Sequence, residues 1–212
     1  MKVLIVVAHA DDEVLGMGGT ICKHIENGDE IIVLVATEPN ENYPIEYHVN
    51  LKKAQQEVDE FLGIKERYHL DYPCVSFNIY PYGQLNERFS KYIEAIKPEI
   101  LYTHFKGDIN QDHRIVYEAC LVATRPPKQI KLVCFETISE TEWGDLPFKP
   151  NYYVDISDYL VKKINAFDFY KTELKALPHP RNAQGIENLA FKRGLECGFV
   201  SAEAFQIVRW YE

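Results

Sequence analysis

Six consecutive apolar residues, Val3–Ala8, run without interruption and stop at His9-Ala10-Asp11-Asp12-Glu13. An unbroken run of this length reads as a parallel strand buried on both faces. The pattern then changes period. Val14, Met17, Ile21 and Ile25 recur at helical spacing and predict a helix over Val14–Glu26, closed by Asn27-Gly28-Asp29. Ile31–Ala36 is a second buried strand, and the polar stretch Asn40–Ile45, with Pro39 and Pro44, is a loop over the first strand's end. Helix Tyr47–Leu62 stops at Gly63. The short strand Arg67–Leu70 and helix Gln84–Ile96 follow, the helix ending at Lys97-Pro98. Strand Ile100–His104, loop Gly107–Asn110 and helix Asp112–Ala123 complete the alternating part.

Beyond residue 125 the alternation weakens. Lys131–Glu136 and Tyr152–Asp155 read as strands, and Asp158–Ala176 as a helix behind a Ser157 or Asp155 cap. A loop with Pro178 and Pro180 precedes a last helix over Glu187–Glu196. Strand–helix alternation predicts an α/β fold, a Rossmann-like and mostly parallel sheet with helices on both faces. No linker-like composition divides the chain. Residues 1–212 are therefore expected as one domain, with a Rossmann-like half over 1–125 and added strands and C-terminal helices over 126–212 packed on it.

Composition narrows the partners. A formal net charge of −9 argues against nucleic acid or an anionic membrane surface. The apolar stretch after Lys2 is too short for a signal peptide, and no segment is long enough to span a bilayer. Cys22, Cys74, Cys120, Cys134 and Cys197 are odd in number and scattered, without a CxxC pair. They read as reduced, mostly buried thiols of a cytoplasmic protein.

The chemistry concentrates at two strand ends. Three carboxylates and an imidazole crowded after a buried strand repel one another and resist desolvation unless a cation is present. Ile100–Thr103 likewise runs into His104 and then Lys106-Gly107-Asp108-Ile109-Asn110-Gln111-Asp112-His113. In a doubly wound sheet the first and fourth strands are neighbours where strand order reverses, which brings His113 opposite His9 and Asp12. A His, Asp, His set with one position left to water is a catalytic zinc arrangement. Taken singly, each block reads as helix capping and dipole compensation; it is their coincidence in one crevice that points to a metal. Gly16, Gly18 and Gly19 lack the full GxGxxG spacing and read as close helix–strand packing, which disfavours a nicotinamide-dependent oxidoreductase.

At these residues the chain resembles the LmbE/PIG-L-like family of metal-dependent N-deacetylases. The likeness lies in Ala8-His9-Ala10-Asp11-Asp12-Glu13, matching an AHPDDE block, and in Asn110-Gln111-Asp112-His113, matching a downstream HxDH-like block. The resemblance implies His9, Asp12 and His113 as metal ligands, Asp11 as general base and Asp112 as a carboxylate tuning the site. Leu177-Pro178-His179-Pro180-Arg181 resembles the family's C-terminal His-containing stretch beside the substrate pocket. Two departures stand out: Ala10 replaces a proline, and Asn110 stands where relatives carry a histidine. No arginine stands near Leu51–Ala54 to match the substrate-binding arginine of some sugar deacetylases.

The expected activity is therefore zinc-dependent removal of acetate from an N-acetyl amino sugar, with Asn110 or His179 as donors to the oxyanion. Fe²⁺ suits the same ligand set. Candidate pocket residues are Asp71, His104, Lys106, Glu136, Glu140, Trp143, His179 and Arg181. Lys106 and Arg181 suit an anionic substituent such as a phosphate or nucleotide diphosphate. Competing readings are an amidase on a non-sugar N-acyl substrate and a non-catalytic nucleotide-sugar binding module. The oligomeric state stays open.

Overall fold

The computed structural model describes all of residues 1–212. Seven strands form one sheet: β1 (Lys2–Val7), β2 (Glu30–Glu38), β3 (Glu66–Pro73), β4 (Ile100–Thr103), β5 (Lys131–Phe135), β6 (Tyr152–Asp155) and β7 (Ala202–Arg209). Their spatial order is β3-β2-β1-β4-β5-β7-β6. The first five strands are mutually parallel; β7 runs antiparallel to β5 and to β6. Six helices complete the chain: α1 (Asp12–Glu26), α2 (Ile45–Leu62), α3 (Tyr82–Ile96), α4 (Gln111–Ala123), α5 (Leu160–Phe167) and α6 (Ala183–Cys197). No helix is long and apolar enough to cross a membrane.

The unbroken apolar run of β1 is explained by two cores. Val3, Ile5 and Val7 join the larger core with residues of α1, α2, α5 and α6, whereas Leu4, Val6 and Ala8 join a second core with α3 and α4. Side chains alternate across a strand, so a strand covered on both faces is apolar at every position. The helices after β1 and β4 therefore leave toward opposite faces while the strands pair directly, Val3 with Ile100 and Ile5 with Tyr102. The crevice at this switch point is where open α/β sheets place ligands.

Two elements depart from the sequence reading. The helix expected over Asp158–Ala176 is only Leu160–Phe167, with Asp155 instead accepting from the Ser157 N–H in a turn before it. The chain leaves the helix after Phe167 and buries Tyr170, whose hydroxyl donates to Glu13 at 2.6 Å. The second departure is β7, which the pattern reading omits. Its register places Phe205 beside Phe135 and ties the last segment into the sheet.

The glycines of α1 do pack closely. A Cβ at Gly16 would lie 2.3 Å from Phe135 and one at Gly19 would lie 2.7 Å from Ile156. Helix α1 also breaks at Met17 (φ −151°, ψ 27°). The break is held by a buried ion pair: Lys163 Nζ donates to Leu15 O (2.8 Å) and to Glu203 (2.6 Å), and Glu203 accepts from the Gly19 and Thr20 N–H groups.

Candidate metal and active site

The end of β1 turns into α1 through Asp11, whose φ of 126° is a left-handed, strained value for a residue with a side chain. Its carbonyl accepts from the Val14 and Leu15 N–H groups, so the turn opens the helix directly at Asp12. Glu13 anchors this turn. It accepts from the Asp11 N–H and from Tyr170 and is ion-paired to Arg67 at 3.0 Å, all within the interior.

Across the crevice, α4 begins at Asn110, whose Oδ1 caps the helix by accepting from the Asp112 N–H (2.9 Å). This brings His113 against His9 and Asp12. His9 Nδ1 and His113 Nε2 each lie 3.3 Å from Asp12 Oδ2 and 3.3 Å from one another. The edge of a tetrahedron with metal–ligand distances of about 2.0–2.1 Å is about 3.3–3.4 Å, so the three atoms fit three corners of a zinc-like site. Asp12 and His113 are fully buried, and Asp12 Oδ1 has no hydrogen-bond partner.

Each imidazole is oriented from behind. His9 Nε2 faces Asp112 Oδ2 at 3.2 Å, and His113 Nδ1 faces Asp108 Oδ2 at 2.9 Å, while Thr141 donates to the other Asp108 oxygen at 2.6 Å. Carboxylates on the outer ring nitrogens fix the tautomers and leave the inward nitrogens free to bind. The sequence reading anticipates a carboxylate at Asp112 but misses Asp108. Its only signal was an acid in the same strand-end loop as His113.

Electrostatics reinforce the picture. Burial penalises the Asp12 carboxylate, but His113 and His104 outweigh this and hold its pKa well below the usual range. Burial opposes protonation of His113, yet Asp12 and Asp108 raise its pKa to about 9. The cluster favours positive charge between its ligands. Asp11 behaves oppositely: burial pushes its pKa well up despite Arg181, which donates to it at 3.1 Å.

The structure places the candidate residues in different surroundings. Asp11, His9, Asn110, Glu140, Trp143, His179 and Arg181 line one cavity of about 280 Å³. His104 does not line it. That residue is fully buried, stacked on His113 at 3.7 Å, and its Nε2 accepts the Ala8 N–H at 2.8 Å. Lys106 is exposed outside the cavity, because Phe105 and Gly107 turn inward on either side of it. Asp71 borders an adjoining cavity, and Glu136 is paired with Arg193 beneath a separate groove. Arg181 is engaged by Asp11, Ser139 and Glu140, which leaves it poorly placed to hold an anion.

A family model described as PIG-L, GlcNAc-PI de-N-acetylase, matches residues 4–124, more than half of the chain and both site blocks. The chain belongs to the PIG-L family. As a PIG-L protein it is a hydrolytic N-deacetylase, and it carries a His, Asp, His group able to hold a metal. The uncharacterized deacetylase YaiS of Escherichia coli is 29% identical over 181 residues, 80% of this chain and 90% of that protein. The diacetylchitobiose deacetylase of Thermococcus kodakarensis is 26% identical over 200 residues, 81% of this chain and 70% of its own. In three dimensions the N,N'-diacetylchitobiose deacetylase of Pyrococcus horikoshii matches with a TM-score of 0.80 at 22% identity, covering 98% of this chain and 83% of that one. GalB of Pseudomonas putida, a 4-carboxy-2-hydroxymuconate hydratase, matches with 0.78 at 19%, over 100% and 98% of the two chains. PIG-L architecture thus also carries a different reaction, and the fold alone does not choose the chemistry.

Proposed function

We propose that this protein removes acetate from a neutral N-acetyl amino sugar, using a zinc ion held by His9, Asp12 and His113. The observation that carries the reading is the 3.3 Å triangle of donor atoms with the Asp11 carboxylate beside it on the cavity wall. When bound, the ion supplies a Lewis acid that polarises an amide carbonyl and lowers the pKa of water. Fe²⁺ meets the same donor set.

Asp11 takes the proton of the attacking water on its carboxylate and returns it to the leaving amine nitrogen. Such a group contributes about 10²–10⁴ in rate. Arg181 holds the Asp11 carboxylate in place at 3.1 Å. Asn110 uses its oxygen as the helix cap, which leaves its amide N–H₂ as the donor available to a developing oxyanion. His179 is braced against Trp143, with ring centroids 5.3 Å apart, on the other wall. Burial, Arg181 and Lys175 lower its pKa, so it serves as a neutral hydrogen-bonding group. Asp112 and Asp108 act only through the imidazoles they orient.

The charge of the cavity argues for a neutral substrate. Asp11, Glu38, Glu140 and Glu173 line it, against Lys175 and an Arg181 already committed to carboxylates. A phosphate or nucleotide diphosphate held away from the ion, beside Glu38, Glu140 and Glu173, would meet more repulsion than attraction there.

The test is acetate release from free, phosphorylated and nucleotide-linked N-acetyl amino sugars, with zinc-loaded wild type beside Asp11→Asn. The expected result is release from the neutral sugars by wild type, with Asp11→Asn retaining stoichiometric zinc but losing about 10²–10⁴ in kcat. No release by a protein shown to contain zinc would overturn the activity. Unimpaired turnover by Asp11→Asn would overturn the base assignment alone.

A further inference from the structure

Two separate holds converge on Asp11, and only one of them belongs to the cavity. Arg181 meets its carboxylate there. The other lies behind it, in the interior. Glu13 Oε2 accepts the Asp11 N–H at 3.1 Å, while Glu13 Oε1 accepts from the Tyr170 hydroxyl at 2.6 Å and from Arg67 at 3.0 Å. Arg67 is in turn forked onto Asp59 of α2. Glu13 and Tyr170 are fully buried, so neither touches a substrate.

The Asp11 N–H fixes the peptide plane before the residue. The Asp11 carbonyl, accepting from Val14 and Leu15, fixes the plane after it. With both planes held, φ stays at 126°, and the direction of the side chain follows. An aspartate that nothing holds relaxes to negative φ, because its Cβ disfavours the positive region. Rotation about N–Cα then carries the Cβ, and the carboxylate with it, away from its present place.

Tyr170 supplies its part of this hold from far along the chain. Helix α5 stops at Phe167, and the chain turns inward to bury the Tyr170 ring. The Glu173 N–H donates to the Tyr170 carbonyl at 2.9 Å, and the Glu173 carboxylate accepts from Tyr47 and stands 3.8 Å from Arg181. One short turn therefore reaches Asp11 twice, through Glu13 to its backbone and through Arg181 to its carboxylate.

We propose that Tyr170 is a positioning residue for the deacetylation: acting through Glu13, its hydroxyl holds the Asp11 backbone in the strained conformation that presents the carboxylate to the cavity. The inference rests on the deacetylase reading for what Asp11 does, not for how it is held.

Tyr170→Phe tests it with the ring and its packing retained. Amide hydrogen exchange, followed by NMR on zinc-loaded protein, is expected to be about tenfold faster at Asp11, with Ile5 in the middle of β1 unchanged. Acetate release from N-acetylglucosamine and N,N'-diacetylchitobiose is expected to lose about 10–100-fold in kcat, the range for a lost hydrogen bond to a charged group. KM and zinc content stay as in wild type. Placed in Asp11→Asn, where no base remains to aim, Tyr170→Phe is expected to cost no further turnover. Arg67→Lys keeps the charge but cannot fork between Glu13 and Asp59; it is expected to act in the same direction and serves should Tyr170→Phe fail to fold. Unchanged exchange at Asp11, equal acceleration at Asp11 and Ile5, unchanged kcat, or an additive loss in Asp11→Asn overturns the proposal. Faster exchange at Asp11 in a protein whose wild type releases no acetate would instead sink the deacetylase reading and leave the hold on Asp11 standing.

Discussion

At the scale of single residues, the imidazoles facing Asp12 owe their aim to the carboxylates behind them. Asp108 is the cleaner case, because Thr141 fixes one of its oxygens and His113 takes the other. Asp108→Asn keeps the shape and an acceptor for Thr141 but turns an amide N–H₂ donor toward His113 Nδ1, which no longer finds an acceptor there. Zinc affinity, measured by competition with a chelating dye, is expected to fall about 10–100-fold while the protein stays folded. His113→Ala removes a ligand outright and is expected to abolish stoichiometric zinc. Unchanged affinity in Asp108→Asn would mean that the stack on His104 orients His113 by itself. The same residues explain what was legible beforehand. His9 and Asp12 directly follow β1, and His113 lies in the first turn of the helix after β4; both strands read plainly as buried, so topology brought the three together. Asp108, Glu13 and His104 derive their roles from partners far along the chain: Thr141, Arg67 and the Ala8 N–H. No local spacing carries that information, and His104 for that reason reads as a pocket residue when it is in fact sealed behind one.

At the scale of elements, helix α1 carries the proposed metal ligand Asp12 at its first residue and a break five residues later. The Lys163–Glu203 pair serves that break, since it occupies the Leu15 carbonyl and the Gly19 and Thr20 N–H groups as well as each partner's charge. Lys163→Met leaves Glu203 buried and uncompensated, and urea unfolding is expected to show a loss of about 3–5 kcal/mol. A buried ion pair can often be replaced by apolar residues at little cost. Here the double variant Lys163→Met/Glu203→Leu is expected to stay destabilised, because three backbone groups lose their partners too. Full recovery in the double variant would show that the break needs no polar support. The parallel half was readable because β1, β2 and β4 carry long buried apolar runs and helices α1, α2 and α3 end at glycine or proline signals. In the antiparallel part β6 was read with its observed bounds, but β7 was not. β7 mixes Ala202, Glu203 and Gln206 with its apolar positions, and its acid is the one that braces α1. The length of α5 is set by the long-range contact between Tyr170 and Glu13, which periodicity does not encode.

At the scale of the whole molecule, the proposed metal triangle spans the two halves of the crevice. His9 and Asp12 follow β1 and lead into the core shared with α1, whereas His113 belongs to α4 on the opposite face of the sheet. An ion bound to all three would therefore reinforce the junction of α4 with the end of β1, which already meet through the second core and the His9–Asp112 contact, and it would bind the folded chain in preference to the unfolded one. Zinc at 100 times its dissociation constant is expected to stabilise the protein by about 2.7 kcal/mol. For a chain of this size that corresponds to a rise in Tm of about 5–10 °C, reversed by a chelator. Thiol reactivity offers an independent view of the same coupling. Burial pushes Cys22 up to about 11 and Cys120 up to about 12, and only Cys197 is partly exposed. At pH 8 one thiol is expected to react promptly with a disulfide reagent, and the others only as the fold opens. If the triangle joins both faces of the sheet, zinc slows that second phase in wild type and leaves it unchanged in His113→Ala. Equal slowing in both proteins would mean that the stabilising ion binds elsewhere.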